Sequence, residues 1–118
     1  MHQSTLYQFL PSNMSSAQVI ILYPRKPGNK FDKKHYLSTH MPLVAKVWGK
    51  HGLKAWKATE LNADAPYTYS CIMDFESDEG FAAAGADPAT KEVMDDVANF
   101  SSVMPVIMQG GVFANKTV

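Results

Sequence analysis

Two kinds of apolar spacing alternate along this chain. Gln18–Tyr23 (Gln-Val-Ile-Ile-Leu-Tyr) is apolar almost without a break, which predicts a strand buried on both faces. After the turn-forming run Pro24-Arg-Lys-Pro-Gly-Asn-Lys30 the period changes. Tyr36, His40, Leu43, Val44 and Val47 then fall at i, i+4, i+7, i+8 and i+11, the spacing of one helical face. That helix is expected from Asp32, a good N-cap, to about Lys50, with Gly49 and Gly52 at its end. Leu53–Leu61 reads as a second strand and 62–66 as a loop. Tyr67–Phe75 is a third strand, with Tyr67, Tyr69, Cys71, Met73 and Phe75 alternating onto one face. Ser77 is the N-cap of a second helix, which breaks at Asp87-Pro88 and resumes over Thr90–Val97. Asn99–Ser102 is read as a connector to a last strand, Val103–Phe113. Gly110-Gly111 is expected there as a bulge or close approach.

The order β-α-β-β-α-β is that of the ferredoxin-like fold. It is an α+β domain with a four-stranded antiparallel sheet and two helices on one face. The other face is left bare, and a second copy of the chain is the natural cover. A homodimer packed through the sheet face is therefore expected. Residues 17–118 form the domain. Residues 1–16 read as a flexible N-terminal tail, with Leu6, Tyr7, Phe9 and Leu10 as a docking patch. The tail is either a start-site extension before Met14 or an arm that lies on a partner subunit.

Composition narrows the classes. With 118 residues the chain has room for one core. Its 11 basic and 11 acidic residues cancel, so no broad attraction to nucleic acid or a membrane surface is expected. The single Cys71 leaves no internal disulfide and no cysteine zinc site, which suits a reducing cytoplasm. No apolar run approaches the ~20 residues of a membrane span.

The chemistry centres on His40. It interrupts an apolar stripe, where an imidazole has to find a partner or line a cavity. Pro42 follows two residues later, and there it removes a helix hydrogen bond to Ser38 and bends the axis. Either His40 is a satisfied core histidine or it is an acid–base group beside a pocket. His35 lies about 140° away around an α-helix, so it is expected to point outward, and no metal site is expected. His51 is expected at the surface. There is no phosphate-binding glycine loop and no Gly-x-Ser-x-Gly elbow. Tyr36, Tyr69 and Asn99 are candidates to act beside His40. Tyr23, Trp48, Trp56, Phe75, Phe81 and Phe100 are candidate pocket walls, suited to a flat oxygenated small molecule.

The run Leu22-Tyr-Pro, Lys30-Phe-Asp, Tyr36-Leu, Thr39-His-Met-Pro-Leu43, Trp48-Gly49, Gly52-Leu-Lys54, Pro66-Tyr67, Phe75–Glu79, Asn99-Phe100 and Pro105-Val-Ile107 resembles the EthD domain over about residues 18–114. The Tyr-x-x-x-His-Met-Pro-Leu segment is its most specific part, and the recurrent histidine of the family falls on His40. The resemblance implies a dimeric α+β barrel. Relatives in that superfamily include cofactor-free oxygenases, lactone isomerases and polyketide cyclases. The expected function is cofactor-independent acid–base catalysis by His40 on an aromatic or polyketide-like molecule: isomerisation, dehydration, decarboxylation or cofactor-free oxygenation. The alternatives are a non-catalytic binding or accessory protein of an oxidoreductase system, and a haem-binding barrel with His40 as axial ligand.

Overall fold

The computed structural model describes residues 17–118; the expected tail over 1–16 lies outside the described residues. Four strands are formed: β1 (Ala17–Pro24), β2 (Leu53–Glu60), β3 (Tyr67–Phe75) and β4 (Val106–Gly111). They make one antiparallel sheet in the order β2-β3-β1-β4, the ferredoxin-like arrangement. Helical segments cover one face.

β1 was expected to be buried on both faces, and it is not. Ala17, Val19, Ile21 and Tyr23 are buried, while Gln18, Ile20, Leu22 and Pro24 are half-buried. The reason is that all helices of the described chain sit on one side. Register places Ile72 and Met108 beside Ile20, and Val106 beside Leu22, on the uncovered side. Ile72, Val106 and Met108 are exposed there.

The first helical run is not uniform. It comprises α1 (Lys33–His35), a π-turn (Tyr36–His40), α2 (Met41–Trp48) and a 3-10 turn (Gly49–His51). Asp32 is its N-cap as expected, accepting the His35 N–H at 3.0 Å. Gly52 ends it with φ +99°, a left-handed conformation that suits glycine. The second helix is α3 (Asp78–Ala86) and α4 (Thr90–Phe100), parted at Asp87 as the sequence predicts. Ser77 Oγ accepts the Gly80 N–H at 3.0 Å. A Cβ on Gly80 would fall on the His51 carbonyl oxygen, so this position carries glycine because two backbones meet there.

Two boundaries differ from expectation. α4 runs on through Asn99 to Phe100, because Phe100 is a buried member of its apolar stripe. β4 begins only at Val106, since Ser101 turns the chain by pairing with Phe31 and Pro105 has no N–H to donate. Gly110 and Gly111 continue in regular register with Gln18 and Ala17, so no bulge forms there. The irregularities lie at Tyr23/Pro24 and Leu53/Ala55 instead.

Val19, Cys71, Met73 and Phe75 from the sheet meet Met41, Val44 and Val93 from the helices in the fully buried core. Trp48 ties α2 to the second helix: its Nε1–H donates to Thr90 Oγ1 at 2.8 Å, and the Thr90 hydroxyl donates to the Ala84 carbonyl.

Candidate active site

The π-turn builds the site. The Met41 N–H donates to the Tyr36 carbonyl, five residues back instead of four, because the turn holds one extra residue. Pro42 follows at once and has no N–H to restore the α-helical pattern. His35 and His40, which α-helical geometry would point apart, are thereby brought to the same side. Both reach Asp96 of α4. His40 Nδ1 lies 3.0 Å from Asp96 Oδ2, and His35 Nε2 lies 3.0 and 3.1 Å from the two carboxylate oxygens. Asn99, one turn further along α4, donates Nδ2–H to Asp96 Oδ1 at 2.9 Å. His35 was expected to point outward; it is half-buried and paired.

The electrostatics follow from this packing. Burial of Asp96 favours its neutral form, yet hydrogen bonds from Asn99, His35 and His40 together outweigh burial and hold the carboxyl below its ordinary value. Burial pulls His40 below the ordinary imidazole value, and this exceeds the opposing pull of Asp96. His40 is therefore neutral near pH 7. A carboxylate accepts only, so Nδ1 carries the proton and Nε2 keeps a lone pair. No hydrogen-bond partner holds Nε2 among the described residues.

His40 borders a cavity of about 20 Å³, room for one water. Its walls come from β1 (Ile21, Tyr23), α2 (Val44, Trp48) and α4 (Val93, Val97). Met94, Pro105 and Ile107 close it towards β4. Tyr36 stacks beside His40 with ring centroids 5.7 Å apart, and Phe100 lies at 4.5 Å. The Tyr36 hydroxyl is held protonated, first by burial, and bonds Cys71, whose thiol burial likewise keeps protonated.

The other candidates fall in three places. Tyr23, Trp48 and Phe100 belong to the cavity or its histidine. Phe75 and Phe81 pack on each other and on Trp48 in the core behind it. Tyr69 stacks on Phe31 at 4.0 Å in a separate cleft, whose wall it shares with Tyr36. Trp56 is an exposed residue of the edge strand β2. Asn99 contacts Asp96, so it orients the carboxylate. Sequence reasoning missed Asp96 and His35. The signal for Asp96 was present: Val93, Asp96, Val97 and Phe100 follow i, i+3, i+4, i+7, a carboxylate inside an apolar stripe.

His51, expected at the surface, is half-buried and pairs with Asp87 at 2.8 Å. Among the described residues no group of three or more His, Cys, Asp or Glu is placed to hold a metal ion, and no helix is long and apolar enough to cross a membrane. A macrocycle does not fit the cavity beside His40, so the residues present do not suit a haem.

Fold and site together define a ferredoxin-like α+β protein with an aspartate-backed, buried histidine facing an apolar cavity. The chain belongs to the EthD domain family, whose model matches residues 29–103. An uncharacterized 11.0 kDa protein from the thcB–thcC intergenic region of Rhodococcus erythropolis is 32% identical over 90 residues, spanning 75% of this chain and 85% of the relative. An EthD-like protein of Ralstonia eutropha JMP134 shares the fold at a TM-score of 0.70 and 25% identity, over 82% of this chain and 91% of that one. SnoaB, a cofactor-independent oxygenase of Streptomyces nogalater, is similar at a TM-score of 0.59 and 13% identity, over 88% and 97% of the two chains; this likeness is one of fold.

Proposed function

We propose that this protein is a cofactor-independent cytoplasmic enzyme that moves a proton on a small aromatic or polyketide-like molecule, with His40 as the acid–base group. One observation carries the reading: Asp96 fixes the proton on Nδ1, which leaves the Nε2 lone pair of a buried imidazole beside an apolar cavity. Nε2 takes a proton from an acidic C–H or O–H of the substrate. The imidazolium that forms is stabilised by the Asp96 carboxylate, as in other Asp–His pairs. The proton then returns to a second carbon in an isomerisation, or to a departing hydroxyl in a dehydration. The same base serves oxygenation of an anthrone-type substrate. There the deprotonated ring supplies electrons to O2, one oxygen atom becomes the new carbonyl and the other leaves as water. The fold shared with a cofactor-independent oxygenase supports this variant. Entry of a ring needs Met94 and Ile107 to swing aside, and the thioether is a flexible side chain. A homodimer through the apolar sheet face around Ile20 and Leu22 belongs to the same reading.

The pairing of His40 with Asp96, which also satisfies a structural core histidine, favours a second reading, a protein that holds a hydrophobic molecule without turning it over. One experiment separates the two. Phenols, anthrones and lactones are screened by thermal shift, and hits are assayed for conversion. On the catalytic reading His40→Gln lowers the rate by about 10²–10⁴-fold while the stability loss stays near 1 kcal/mol. A destabilised variant with full activity overturns it. Hits that bind without conversion establish the second reading.

A further inference from the structure

We propose a second small-molecule site, on the far side of Tyr36 from the His40 cavity, that takes a flat, uncharged phenol of one or two rings. It does not rest on the proton-transfer reading. The site is a cleft between the π-turn and β2, of about 220 Å³, lined by Phe31, Tyr36, Leu37, Ala58, Glu60 and Tyr69. A cavity of about 150 Å³ suffices for benzene, and drug-sized ligands need roughly 300 Å³ or more, so this volume suits one or two rings.

The walls select the shape. Phe31 and Tyr69 stack on each other, 4.0 Å and 19° apart, with Tyr36 against Phe31 at 5.2 Å, so the cleft is walled by the remaining aromatic surface of this group. Leu37 stands at the rim with 56% of its surface exposed, an apolar cover that a bound ring would shield. It is there because the π-turn carries it away from the helix's buried stripe.

The rim selects the charge. Lys33 Nζ bonds Glu60 Oε1 at 2.6 Å and stands 5.8 Å above the Tyr69 ring. The two charges satisfy each other. An anion that reached a spare N–H of Lys33 would also stand beside the Glu60 carboxylate, 2.6 Å from that ammonium. A cation would meet the converse problem. Glu60 Oε2 has only a long contact, 3.5 Å, from the Tyr69 hydroxyl, so it retains capacity for a better donor. A phenol O–H supplies one, from a ring held in the cleft beside Tyr36 and Leu37.

The full-length protein is titrated with 2-naphthol, which is neutral at pH 7, and with 2-naphthoate, which carries the same rings and a charge. Calorimetry gives affinity and amide NMR gives location. The expected result is that 2-naphthol shifts the amides of Phe31, Leu37 and Ala58. Ala58→Leu, which fills the cleft from an exposed strand position, weakens binding at least about tenfold, and 2-naphthoate binds at least about tenfold more weakly than 2-naphthol. Glu60→Gln, which keeps the shape and removes the charged acceptor, weakens 2-naphthol about threefold to tenfold, a second readout independent of Ala58. Shifts centred on Val44 and Val93, equal affinity for the two compounds, or unchanged affinity in both variants overturns the proposal. His40→Gln is expected to leave 2-naphthol affinity unchanged, so failure here is distinguishable from failure of the catalytic reading.

Discussion

At the start of the first helical run His40 bonds Asp96 through Nδ1 at 3.0 Å, and at its end His51 bonds Asp87 through Nε2 at 2.8 Å. The residue types are the same and the consequences differ. Asp87 also receives Lys50 at 3.3 Å and the Ala89 N–H at 2.9 Å, and its carboxyl is held at about 2, chiefly by the His51 hydrogen bond. Every donor there closes a loop or a helix end, so that pair is a fastener. At Asp96 the donors are two imidazoles and an amide, and one of the imidazoles, His40, borders an apolar cavity. On the proposed function, what separates the acid–base pair from the fastener is which nitrogen is engaged.

Three changes test that contrast. The largest effect is expected at the fastener. Gly80→Ala places a methyl on the His51 carbonyl and should destabilise the fold by about 2–3 kcal/mol in urea titration, with the residual folded protein still binding ligand at His40. Next, Asp96→Asn should cost roughly 1–3 kcal/mol and abolish any His40-dependent rate, because an amide no longer dictates the tautomer. His51→Gln should shift the melting midpoint by only about 1–3 °C with the rate unchanged. Equal losses of rate in these two variants would erase the distinction between the pairs.

The smallest effect is pH dependence. Burial holds the folded pKa of His40 below its unfolded value, so the unfolded chain binds that proton more tightly. The stability is complete above about pH 6.5 and is lost as pH falls through the depressed folded value. Asp96 is also depressed and adds a loss of the same sign at lower pH. Urea midpoints between pH 7.5 and 5.5 should fall in the wild type and flatten in His40→Gln. A flat wild-type profile would mean that His40 is not desolvated.

Much of the frame was legible because local chemistry and tertiary need agree there. Asp32 and Ser77 cap where side-chain oxygens can meet free N–H groups. The alternation in β3 sends Cys71, Met73 and Phe75 into the core. His40 was findable because it breaks a stripe. The site's second half was hidden by geometry: 3.6 residues per turn sends His35 the wrong way, and no residue type announces a π-turn. Tyr69 shared a strand face with the core yet entered another cleft, since the neighbour that stacks on it, Phe31, belongs to a loop.

The π-turn has a genetic reading as well. Its extra residue amounts to a single codon. An in-frame deletion among Leu37, Ser38 and Thr39 would return the segment to ordinary helical winding and rotate α1 by about 100° relative to α2. His35 would swing off Asp96, and Tyr36, on the same side of the deletion, would leave its buried place against His40 and Phe100. A single codon therefore ties one arm of this hydrogen-bonded cluster to the packing of the core.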